Sequence, residues 1–116
     1  MDVKTPEIIE KPWGRELHFA LEDEYIGKIL EVKKGARLSL QYHEKKKETM
    51  CVLEGKMLFT LKNQTQELSV GACITIQPGE KHRVEAITDL KILEVSTPEP
   101  DDILSLIHIS EPTRPY

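Results

Sequence analysis

From Tyr25 onward, apolar residues recur in short runs of β-branched and aliphatic side chains, separated at fairly regular intervals by turn formers. The runs occupy residues 26–32, 37–43, 48–53, 56–62, 67–70, 73–76, 84–87 and 91–96, and the separators include Lys34-Gly35, Glu54-Gly55, Asn63-Gln64, Gly71 and Pro78-Gly79. No stretch keeps a helical period over three turns, and 98–106 accommodates one short helical turn at most. Some eight short antiparallel strands predict an all-β domain. A closed barrel or jelly roll suits them because either leaves few strand edges open to pairing. An immunoglobulin-type sandwich is the alternative, but the chain lacks a cysteine pair with a tryptophan between, since Trp13 precedes both Cys51 and Cys73.

Residues 1–24 form an N-terminal arm. Its first twelve positions carry Pro6 and Pro12 among charges and only the short apolar pair Ile8-Ile9, which predicts an edge strand or loop able to pack on a neighbouring subunit. Residues 25–104 make up the barrel. Residues 105–116 have prolines at 112 and 115 and no strand alternation after Ile109, and read as a non-native tail of translated vector or adapter sequence.

Composition narrows the partners. The chain has 116 residues, 39% hydrophobic and 31% charged, enough for one globular core. A net charge of -4 argues against a nucleic-acid-coating role, which needs a clustered basic face. No apolar run is long enough to cross a membrane as a helix and no export signal opens the chain, so a cytoplasmic protein is expected, with Cys51 and Cys73 as reduced thiols.

Strand alternation exposes the chemistry. Over 37–43, Arg37, Ser39, Gln41 and His43 share one face, opposite Leu38, Leu40 and Tyr42. A polar face is costly to bury unless something satisfies it, and a lumen holding a metal ion and a polar ligand would do so. Gln41 and His43 can reach one ion from a single strand. Glu48 follows a turn that can return the chain antiparallel, and His82 follows the tight Pro78-Gly79 turn. These four nitrogen and oxygen donors define a site for one divalent transition metal, Zn²⁺ first, with Mn²⁺, Ni²⁺, Co²⁺ and Fe²⁺ accepted by the same set. Lys45-Lys46-Lys47 reads as a solvated hairpin turn, and His18 and His108 as uninvolved.

Gly35, Gln41-Tyr42-His43, Glu48 and Gly55 match the spacing of the first cupin motif, with glutamine in place of its first histidine, and Gly71 with Pro78-Gly79-Glu80-Lys81-His82 resembles the second. The fold implied is the cupin double-stranded β-helix, a jelly-roll barrel. More narrowly, Lys11-Pro12-Trp13-Gly14, the segment 35–43, His82-Arg83 and Pro100-Asp101-Asp102-Ile103 resemble the isomerase domain of type II phosphomannose isomerases over about residues 10–104. The sequence departs from that family in having Glu44 and three lysines where further histidines usually follow His43.

The resemblance implies a Gln-His-Glu-His metal set and interconversion of mannose 6-phosphate and fructose 6-phosphate, or a related sugar isomerisation. The ion would stabilise enediolate charge while a base moves a proton between C1 and C2. Arg37, Lys81 and Arg83 are then candidates for gripping phosphate or hydroxyls, or are plain rim cations. Trp13 lines the sugar site or staples the arm to the barrel. The base stays unassigned, because Glu54, Glu85 and Glu94 read equally as solvent-facing. Two other classes stand beside the isomerase: a non-catalytic carbohydrate-binding or regulatory cupin module, and an Fe(II)-dependent dioxygenase-type cupin. A small sugar or sugar phosphate is the expected partner, and a homodimer the expected assembly.

Overall fold

The computed structural model describes residues 1–99 and the strand at Leu104–Ser105. Among the described residues there is no helix. Eleven strands run in chain order: β1 (Glu7–Lys11), β2 (Gly14–Leu21), β3 (Ile26–Val32), β4 (Gln41–Tyr42), β5 (Glu48–Glu54), β6 (Lys56–Leu61), β7 (Gln64–Ser69), β8 (Cys73–Ile76), β9 (His82–Ala86), β10 (Leu90–Ser96) and β11 (Leu104–Ser105). They form a six-stranded sheet ordered β1-β2-β3-β10-β5-β8 and a five-stranded sheet ordered β11-β4-β9-β6-β7, with every pairing antiparallel. This is the jelly-roll arrangement the strand pattern predicts.

The predicted runs coincide with β3, β5, β6, β7, β8, β9 and β10 to within a few residues. Two differences matter. The arm contributes β1 at the sheet edge and also β2, paired with β3 from Gly14 to Leu21, a strand the turn signals did not mark. Residues 37–43 are regular only at Gln41–Tyr42, with an isolated bridge between Arg37 and Glu85 and backbone bonds from Leu38 to Val84 holding the rest against β9. The 98–106 segment and the tail lie outside the described residues apart from Pro98, Glu99 and β11.

Alternation decides what faces inward. Leu30, Val32, Met50, Val52, Leu90 and Ile92 from the larger sheet meet Met57, Phe59, Val84 and Ala86 from the smaller. Met57 and Ile92 are wholly inaccessible, and burial of such a side chain contributes about 1.5–3 kcal/mol. The apolar layer fills one end of the lumen, and the polar residues discussed below fill the other.

The register also corrects the reading of the cysteines. Cys51 on β5 and Cys73 on β8 are direct cross-strand partners with Cα atoms 4.2 Å apart, and they form a disulfide rather than two free thiols. The pairing follows from tertiary register, which spacing alone does not reveal.

Candidate metal centre

Three buried side chains converge from separate segments of the chain. His43 follows β4, Glu48 opens β5 and His82 opens β9, and one ligand atom from each lies within 4.8 Å of the others. The Glu48 Oε1 atom is 3.1 Å from His82 Nε2 and 3.4 Å from His43 Nε2. Each of the three residues is at most 4% exposed.

Local structure fixes each donor. Gly79, at φ 85°, makes the turn before β9 in a conformation that glycine adopts without strain, and its N–H bonds the His43 carbonyl at 2.6 Å. That bond ties the two histidine segments together. Glu80 Oε1 accepts from the Gln77 N–H at 2.7 Å and braces the same turn. The Glu80 carbonyl lies 3.0 Å from His82 Nδ1. A carbonyl can only accept, so Nδ1 donates to it and Nε2 is the ring atom left facing Glu48. Glu48 Oε1 is a buried acceptor without a well-formed hydrogen bond, which is costly unless a cation sits among these donors. Two imidazoles and one carboxylate are the donor set of a divalent transition metal site. The residues present therefore fit such an ion.

Gln41 lies across the sheet from His82 and lines the same cavity, with its amide donating to Ser39 Oγ at 2.9 Å. Strand alternation puts Arg37, Ser39, Gln41 and His43 on one face, and of these Ser39, Gln41 and His43 line this cavity while Arg37 does not. Of the four candidate substrate contacts, Arg83 lines it as well, with its Nε buried and unbonded. Arg37 and Lys81 are exposed at other positions, and Trp13 packs against the apolar core.

The structure adds a charged layer that the sequence reading placed in solvent. Lys46, the middle lysine of the expected solvated turn, is 3% exposed, with its ammonium 3.7 Å from Glu48 and 3.8 Å from Glu94. The cause is local: the Lys47 N–H donates to Thr97 Oγ1 and the Thr97 N–H to the Lys47 carbonyl, pinning the turn to the end of β10. Glu94, read as a solvent-facing strand residue, is also buried. It belongs to the inward set Leu90, Ile92, Glu94 and Ser96, and that parity was a signal available in the sequence. His18 is not without a partner either, since its Nε2 lies 2.8 Å from Glu16 Oε1, and Glu16 lies 3.8 Å from Lys28.

Electrostatics divide the two inner carboxyls. Burial opposes ionisation of Glu48, but the imidazoles of His43 and His82, the Glu94 carboxyl and the Lys46 charge outweigh it and hold Glu48 well below the usual carboxylate range. Burial, then the neighbouring Glu48 charge, push Glu94 well above that range. The cavity is small, about 70 Å³, and takes in Lys28, Lys46, Arg83 and Glu94 beside the metal donors.

Comparison with solved structures defines the class. The fold is that of the cupins: an RmlC-like cupin from Shewanella frigidimarina superposes with a TM-score of 0.77 at 18% identity over 84% of this chain and 87% of that one. KdgF from a Halomonas species gives the same score and identity over 83% and 89%. Oxalate decarboxylase from Bacillus subtilis reaches 0.81 at 14% identity, with 95% of this chain covering 32% of that protein. More narrowly, the chain belongs to the mannose-6-phosphate isomerase C-terminal family, whose model matches residues 2–106. No curated protein matches it.

Proposed function

We propose that this protein is a metal-dependent sugar-phosphate isomerase, interconverting mannose 6-phosphate and fructose 6-phosphate or acting on a related sugar. Its metal ligands would be Gln41, His43, Glu48 and His82, and its setting the cytoplasm. The observation that carries the reading is the convergence of His43, Glu48 and His82 on a buried, unsatisfied carboxylate oxygen beside a polar cavity, in a member of an isomerase-related family. A divalent ion held there would supply Lewis-acid stabilisation of negative charge developing on sugar oxygens.

The chain's own residues do the rest. A cavity of about 70 Å³ is far below the roughly 300 Å³ at which pockets begin to enclose a whole small ligand. Only the reacting end of a sugar enters it, and the phosphate stays at the mouth within reach of exposed cations such as Lys81, which adjoins His82 in the chain. Arg83, with an unbonded buried Nε, is placed to donate to a substrate oxygen. Lys46 orients Glu48 and Glu94. Glu94 lines the cavity without being needed as a ligand, and its raised pKa suits it to donate a proton to a sugar oxygen, while the base that takes the proton from carbon stays unassigned.

Elemental analysis of the purified protein tests the site, and NMR of mannose 6-phosphate incubated with it in D₂O tests the reaction. The expected result is about one equivalent of transition metal per chain, lost in the Gln41→Ala, His82→Ala double variant, together with deuterium entering C2. Glu94→Gln should keep the metal and slow the exchange. Bound metal with sugar binding but no exchange would make the protein a binding module, and oxygen consumption in place of isomerisation would make it an oxidative cupin. No metal after reconstitution would overturn both enzymatic readings.

A further inference from the structure

The cavity beside the metal donors has a second polar end that the chemistry described so far does not use. On the larger sheet, Glu16 of β2 is the cross-strand partner of the core residue Leu30 of β3, and Lys28 of β3 stands in register between His18 of β2 and Glu94 of β10. Strand parity therefore turns Glu16, His18 and Lys28 into the barrel, where their side chains are only 17%, 12% and 13% exposed. Glu16 and Lys28 line the cavity, while His18 bonds to Glu16 from outside the lining. Since β2 lies three strands from β5, the strand of Glu48, this end is separate from the metal donors.

The bonding of the group is incomplete. His18 Nε2 donates to Glu16 Oε1 at 2.8 Å, and the Lys28 ammonium lies 3.8 Å from the same oxygen, close enough for charge attraction but too far for a hydrogen bond. Among the described residues, Glu16 Oε2 accepts no hydrogen bond and the Lys28 ammonium donates none. A nearly buried lysine is ordinarily paired and hydrogen-bonded. An open acceptor and open donors thus sit side by side on one cavity wall. They suit a group that both donates and accepts, which a hydroxyl does. A phosphate dianion only accepts and would meet the Glu16 charge, and an ammonium only donates and would meet Lys28.

We propose that Glu16 and Lys28 form a hydroxyl-reading subsite for the sugar, and that His18 positions Glu16 within it. The inference rests on the reading of this cavity as a sugar site, but not on turnover. With the reacting carbons C1 and C2 at the metal end, the hydroxyl on C3 or C4 meets this wall: its O–H donates to Glu16 Oε2, and its oxygen accepts from Lys28. Leu30 and Leu38 also line the cavity and offer apolar surface to the C–H groups of the sugar. A site built to hydrogen-bond a hydroxyl discriminates against a sugar that lacks it there.

Equilibrium titration of the Zn²⁺-loaded protein with mannose 6-phosphate and with its 3-deoxy and 4-deoxy analogues tests this. One of the two analogues should bind the parent protein about tenfold or more weakly than mannose 6-phosphate, the scale of a hydrogen bond to a charged group. Glu16→Ala and Lys28→Met should weaken mannose 6-phosphate by a similar factor. They should bind that analogue nearly as the parent does, because the interaction each removes is already missing. His18→Ala should also weaken mannose 6-phosphate, and His18→Gln, which can still donate to Glu16, should restore it. Elemental analysis should find the metal retained in every variant, which shows each to be folded. A parent indifferent to both deoxygenations overturns the subsite and leaves the sugar reading standing. Variants that weaken mannose 6-phosphate and both analogues equally do the same. A Zn²⁺-loaded parent that binds none of the three sugars overturns the sugar reading itself, and the subsite with it.

Discussion

At the scale of single residues, the lumen works by setting two carboxyls against each other. Glu48 is held ionised by imidazoles and an ammonium, and Glu94 is held protonated by burial and by Glu48 itself. The consequence for stability has a sign. Unfolding lets Glu94 ionise near its ordinary pKa of about 4.3, whereas the fold resists ionisation, so its contribution to stability falls as pH rises from there to the raised value. Glu48 acts oppositely: its contribution is present above about 4.3 and is lost as pH falls below it. Glu94→Gln cannot ionise. In chelator-treated protein its stability relative to the parent should therefore rise with pH above about 4.3, by about 1.4 kcal/mol for each tenfold gain in proton affinity that folding gives Glu94. Urea unfolding across a pH series measures this, and a pH-independent difference would show that the buried carboxyl is already compensated. His43, Glu48 and His82 were legible in the sequence because strand parity and the two turns place them. Lys46 was not, since a lysine run ordinarily stays in water and only the Thr97 contacts turn this one inward.

At the scale of elements, β5 joins both halves of the molecule's chemistry. Its first residue, Glu48, belongs to the lumen, and its middle residue, Cys51, is bonded on the outer face to Cys73 of β8, whose end leads into the turn that carries His82. The bridge closes a loop of sequence separation 22, for which chain-entropy reasoning gives about 3 kcal/mol. Reduction by a thiol should lower stability by about that amount and, by loosening β5 against β8, weaken metal binding. Calorimetry in oxidised and reduced protein measures both, and equal metal affinity in the two states would show that the edge strand does not position His82. Gly55 between β5 and β6 is a second constraint at this scale. It has a φ of 83°, and an added Cβ would stand 2.1 Å from the Asp89 carbonyl oxygen.

At the scale of the whole molecule, folding and metal binding are linked. The donors come from β5, β9 and the residue after β4, brought together from two sheets, so the site exists only in the native state and the ion stabilises it by mass action. At a free ion concentration a hundred times Kd the gain is about 2.7 kcal/mol. Thermal unfolding with and without added Zn²⁺ should show a rise in Tm that a chelator reverses, and no such rise in the His82→Ala variant.

The sequence by itself determined the class of fold and the kernel of the site. Alternation over short runs specifies strands, glycine and proline mark their ends, and residues two apart on one strand must share a face, which sufficed to unite Gln41 with His43. Glu48 and His82 followed from the turns before them, and only the tertiary structure decided which residues outside that ligand set surround it. The cross-strand register couples Cys51 to Cys73 and aligns Lys28 between His18 and Glu94, and the packing of the 43–47 turn on β10 buries Lys46 against Glu94. Local pattern carries the period of a strand but not its neighbour, because pairing is settled by the free energy of closing the whole barrel around one shared core.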